Sequence, residues 1–190
     1  HCHGNHDAGL PQAIYIGNIC SQCHSLTYEL FRNSPHKAAH DSLGIPECEA
    51  CHGNHKIMKT SDDMLGTGQD ALCIQCHSPT SKGFKTAFAI KNSIEDLKKK
   101  ILQAKESVSK VEQRGMDVED ALADIDEANN SLTKARGYIH TFSEEQVGSI
   151  VKEGETLVKK AKERALKARD DFNFRRKGYI FAILLIFIFT

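Results

Sequence analysis

The chain has no excess of charge of either sign. Its 25 basic residues balance 25 acidic ones over 190 residues. That balance excludes the strongly basic surface of a nucleic-acid or polyanion binder. Large apolar residues are scarce before Gly83, while turn formers are common there. Such a segment cannot build an ordinary core from its own side chains. After Gly83 other things are missing: no cysteine and no proline follow, and His140 is the one histidine. Lys, Glu, Ala and Leu dominate from there on, which is the composition of helices. No signal peptide is seen, but the chain opens inside a repeated motif, so that lack says nothing about export.

What fills the first part is one recurring string, Cys-x-x-Cys-His. It stands at Cys20–His24, Cys48–His52 and Cys73–His77. This is the attachment signature of c-type haem, in which two thiols form thioethers to the porphyrin and the histidine reaches the iron from one side. A large apolar plate fixed to the chain supplies the interior that the side chains lack. The opening His1-Cys2-His3-Gly4-Asn5-His6 matches Cys51-His52-Gly53-Asn54-His55 over five residues, so Cys2 and His3 read as the end of a fourth, truncated motif. That accounts for the odd total of seven cysteines. A free reactive thiol is the alternative for Cys2. We therefore expect haem c at three complete sites and one truncated site, with Cys2, Cys20, Cys23, Cys48, Cys51, Cys73 and Cys76 as attachment points.

Other uses of these cysteines fit less well. A zinc ribbon closes one tetrahedral site with two pairs. A thioredoxin-like pair needs a strand-to-helix context. A disulfide across two intervening residues makes a strained loop.

The iron has two positions for protein ligands, and the second sets the haem's role: closed for electron transfer, open for catalysis. His3, His24, His52 and His77 take the first. For the second we expect His6 and His55, which occupy equivalent repeat positions, and His36, with His40 one helical turn later as the alternate. His1 is the poorest candidate, and Met58, Met64 and Met116 are held in reserve. The repeat also has a gap. Phe31-Arg32 and Phe84-Lys85 correspond, but where the first copy continues to His36 the second has Ala89. His140 is expected to supply that ligand by folding back from a helix; the alternative is a capping or solvent-exposed histidine. Short helical turns should carry the motifs, with little or no sheet.

The stretch Phe31-x-x-Ser34-x-His36, then Gly44-x-Pro46-x-Cys48-x-x-Cys51-His52-Gly53-x-His55, then the acidic Asp62-Asp63 turn, resembles multihaem c-type cytochromes with doubled motifs. These include tetrahaem electron-transfer proteins of bacterial respiratory chains. The resemblance covers about half the chain. It implies bis-histidine haems, export across the cytoplasmic membrane and electron transfer. The chain departs from ammonia-forming nitrite reductases, whose catalytic motif ends in lysine, and from quinol-oxidising tetrahaem subunits anchored at the N-terminus.

Past residue 84, Ile94, Leu97, Ile101, Ala104, Val108 and Val111 form a heptad seam. Gly115 breaks it, and Asp117 is placed to cap a second helix. Ala121, Ile125, Ala128, Leu132, Ala135 and Ile139 line that helix, which ends at Thr141-Phe142. Ser143–Gln146 is a capping box for a third, lined by Val147, Val151, Gly154, Val158, Ala161, Ala165, Ala168 and Phe172. Short breaks favour antiparallel neighbours. Gly178 to Thr190 is uncharged and reads as the start of a transmembrane helix, with Arg175, Arg176, Lys177 and Tyr179 at the interface. Basic residues normally mark the cytoplasmic side, in tension with haem outside.

The expected fold is therefore mostly α. An irregular, haem-packed cytochrome c domain covers residues 1–83, a three-helix antiparallel bundle or coiled-coil stalk 84–177, and a transmembrane helix start 178–190. The expected function is electron transfer on the periplasmic side of the cytoplasmic membrane, with membrane attachment through the C-terminal helix. Its redox partner would be a quinol-oxidising membrane protein or a terminal reductase. The alternative is a reductase of small nitrogen or sulfur oxyanions at one open haem.

Overall fold

Local signals in the chain set several helix ends. The computed structural model describes residues 16–189. Among these it holds seven α-helices and no strand: α1 Ile16–Cys20, α2 Ser25–Arg32, α3 Pro35–Leu43, α4 Glu49–His52, α5 Lys82–Glu112, α6 Glu119–Tyr138 and α7 Glu144–Phe189. Short 3-10 turns lie at Asp62–Met64, Leu72–Gln75 and Ile139–Thr141. Pro35 starts α3 at the position where its missing N–H costs nothing, and Gly44 ends it in the left-handed conformation at φ 65°. Gly115, at φ 74°, does the same after α5. The Asp117 carboxylate accepts the Glu119 N–H at 3.0 Å and opens α6. The Ser143 hydroxyl accepts the Gln146 N–H at 3.3 Å and opens α7.

The chain divides into two compact units. The first joins the described residues through Glu95 to Lys134–Ser149; the second joins Asp96–Thr133 to the residues from Ile150 onward. In the first, the only buried apolar side chains described before α5 are Phe31 and Ala71. Leu26, Leu43, Ile57, Met58 and Ile74 are exposed. The unit's remaining apolar core comes from the long helices: Ile90, Ile94, Ala135 and Val147 are all buried. A forked ion pair ties the end of α6 to the turn before the third motif. Arg136 donates from Nε and a terminal nitrogen to the two Asp62 oxygens at 2.8 and 2.6 Å.

The second unit is a three-helix bundle. Leu97 and Gln103 of α5, and Arg114 just past its end, meet Gly154, Lys162 and Phe172 of α7 in the same order, so these segments run parallel. The α6 segment runs against both: Ser131 lies against Gly154, while Asp120 and Asp124 pair with Arg164. The seam residues Leu97, Ile101, Ala104, Val108, Ala121, Ile125, Ala128, Val158 and Ala161 are buried, as the heptad spacing predicts. Each Leu, Ile or Val here contributes about 1.5–3 kcal/mol by leaving water, and the small alanines let the helices approach.

The C-terminal expectation is corrected. No helix among the described residues is long and apolar enough to cross a membrane. The apolar run begins at Gly178 without a break in α7, directly after Arg175, Arg176 and Lys177. The 178–190 segment is therefore not seen as a transmembrane helix; its residues through Phe189 continue α7 and are exposed.

Substitutions at three positions test this packing. A Cβ on Gly154 would come within 2.9 Å of Leu97 and 3.1 Å of Ser131. Gly154→Leu should therefore cost about 1–3 kcal/mol in denaturant unfolding followed by helix content. Gly148→Ala, with open space around it, should instead gain about 0.5–1 kcal/mol. Arg136→Ala should lose about 1 kcal/mol by the same measurement, and Arg136→Lys should not restore it, because lysine lacks the fork.

Candidate functional site

Each of the three described motifs is one tight helical turn. Cys20 closes α1, Cys48 precedes α4, and Cys73 lies in the Leu72–Gln75 turn. The same bond spans all three. The motif histidine N–H donates to the carbonyl of the first cysteine, at 2.9 Å for His24, 3.0 Å for His52 and 3.0 Å for His77. A second bond joins the two cysteines of each pair through their backbones, at 3.2, 3.3 and 3.4 Å. Residues three apart on a helical turn share a face, so this geometry sets both thiols of a pair on one side.

The thiols gather. None of the six described cysteines forms a disulfide. Burial, and then the adjoining Cys20, push the Cys48 thiol up to about 12. Cys51 has an open side, yet its crowded surroundings push it up too, helped by Cys73 and Cys76. Thiols held in the protonated form are poor nucleophiles and poor metal ligands. Among the described residues, no group of three or more His, Cys, Asp or Glu side chains is arranged to hold a metal ion.

The histidines also gather, from distant parts of the chain. The His52 and His140 ring centres are 6.1 Å apart with planes 25° from parallel. His36 and His77 are 5.8 Å apart, with planes at 77°. His40 lies 6.1 Å from His36. Burial, then His77 and His40, pull His36 down to about 4. Burial, then His140 and His24, lower His52. Both rings are therefore neutral near pH 7, which is the form that ligates metals. His36 Nδ1 is buried with no hydrogen-bond partner. His40 is buried, its Nδ1 bonded to the Pro46 carbonyl at 2.9 Å.

Other expected residues lie nearer the surface. His24 and His55 are exposed, and the His55 N–H donates to the Asn54 side chain at 2.8 Å. Cys2, His3, His6 and His1 lie outside the described residues.

Some contacts had no signal in the sequence. Phe142 lies on the His36 ring, with centres 3.6 Å apart. Gly83 lies against the His77 ring so closely that any Cβ there would overlap it. Glu47 is buried beside Gly17, with Lys37 at 3.3 Å from its other oxygen. A cleft over the third motif is flanked by Ile74, Cys76, His77, Pro79 and Phe84. The cleft combines apolar side chains with the imidazole of His77, and apolar walls and imidazoles are what a haem asks of a protein. The porphyrin brings four iron ligands of its own and leaves two to the protein.

No protein-family model matches this chain, and neither the curated proteins nor the solved structures contain a match to it.

Proposed function

We propose that this chain is a multihaem c-type cytochrome that relays electrons. The observation that carries the reading is the repeated turn: three Cys-x-x-Cys-His strings with one shared backbone hydrogen bond, with further imidazoles beside them. Cys20 and Cys23, Cys48 and Cys51, and Cys73 and Cys76 would each hold one haem, with His24, His52 and His77 as first ligands. Cys2 and His3 would belong to a fourth by their match to Cys51 and His52. The second ligands would come from His6, His36, His55 and His140. The haem, when bound, supplies a one-electron couple. The chain's own part is to fix the imidazoles, exclude water and space the sites. Ligands on both sides of an iron leave no open position for a substrate, which is why a relay fits better than a reductase. Thioether attachment would put the protein on the extracytoplasmic side. Its partner would be a quinol-oxidising membrane protein or a terminal reductase.

The test is expression alongside haem-attachment machinery. Mass spectrometry should find one covalent haem for each complete motif, and Cys73→Ser with Cys76→Ser should remove one of them. Colourless protein whose cysteines all react with a thiol reagent would overturn the reading. A high-spin ferric signal in the wild type would replace the relay with the reductase.

A further inference from the structure

The turn between α6 and α7 does more than reverse the chain. We propose that His140 and His52 are the two axial ligands of one iron, that of the haem carried by Cys48 and Cys51. The corner between two long helices would then be a wall of a haem site. This inference rests on the cytochrome reading, and it assigns a particular pair within it.

The first argument is distance. Two imidazoles on opposite sides of one metal ion, each with a metal–nitrogen bond of about 2 Å, have ring centres roughly 6 Å apart. The His52 and His140 centres are 6.1 Å apart. His24 also neighbours His52, but it follows its own thiols, Cys20 and Cys23, and is exposed.

The second argument is orientation. His140 Nδ1 lies 3.0 Å from the Gly137 carbonyl. A carbonyl only accepts, so Nδ1 carries the proton and Nε2 keeps a free lone pair. Metal-bound histidines are held in this way, one ring nitrogen donating to a carbonyl while the other ligates.

The third argument is rigidity. His140 sits in the Ile139–Thr141 turn, not on a loose loop. The buried Thr141 hydroxyl donates to the Tyr138 carbonyl at 2.8 Å and accepts the Ser143 N–H at 3.2 Å. Phe142 follows in the left-handed conformation, φ 50°, and its ring lies on His36. Two residues before Tyr138, Arg136 grips Asp62 with both arms. A corner held at so many points fixes where the imidazole can go. A solvent-exposed cap needs none of this.

The experiment uses the haem-loaded chain. In His140→Ala, spin resonance should show one haem turning from low-spin to high-spin, with the covalent haem count by mass unchanged. In His140→Met, which keeps a ligand and so guards against misfolding, one haem should acquire the histidine–methionine signature and a raised potential. Adding Cys48→Ser and Cys51→Ser to His140→Met should abolish that signature together with the haem that bears it. If every haem stays bis-histidine in both single variants, the assignment is overturned while the cytochrome reading stands. If the methionine signature survives loss of the Cys48–Cys51 haem, His140 serves another iron and the pairing is overturned. A wild type without covalent haem refutes the cytochrome reading, and this pairing falls with it.

Discussion

The hydrogen bond from each motif histidine back to the first cysteine underlies the first unit. It curls five residues into a single turn, which puts two thiols on one side and starts the histidine in a set direction. Three such turns come close enough that Cys20 neighbours Cys48, and Cys51 neighbours Cys73 and Cys76. The cluster is built from thiols and imidazoles, not from aliphatic side chains. With Phe31 and Ala71 as the buried apolar residues described before α5, hydrophobic burial at about 25 cal/mol per Å² has little area to act on there. The unit relies on the helical residues around Ile90, Ile94, Ala135 and Val147 for its apolar packing.

The second unit follows familiar rules. Its seam recurs at heptad spacing, and its alanines and Gly154 allow close approach. Ion pairs such as Lys100–Glu155, at 2.5 Å, lie on the outside, where exposure limits what each contributes. The residues from Lys134 to Ser149 are different. They continue the helical region in sequence but pack within the first unit. His140 and Phe142 reach the motif turns for that reason.

Some features were legible because their causes are local. Gly115 ends a helix through its own backbone freedom, and Asp117 and Ser143 cap the next two through their own side chains. The heptads are a property of spacing alone. The apolar segment after Gly178 misled because hydropathy was read over a short window. Its helix is continuous with a basic stretch, and no helix among the described residues is long and apolar enough to cross a membrane. Phe142 over His36, Gly83 under His77 and Glu47 beside Gly17 were not legible at all. The first and last join residues separated by other elements, and a glycine or phenylalanine looks the same in sequence whether or not an imidazole lies against it.

By itself, the sequence determined the helices, their breaks and the three turns that carry paired thiols. Those depend on interactions within a few residues, and periodicity and capping record them. Only the tertiary structure decided which imidazoles face each other, that His140 meets His52 while His36 meets His77. Such pairings are set by how helices and turns pack across the chain. No spacing of letters encodes that distance.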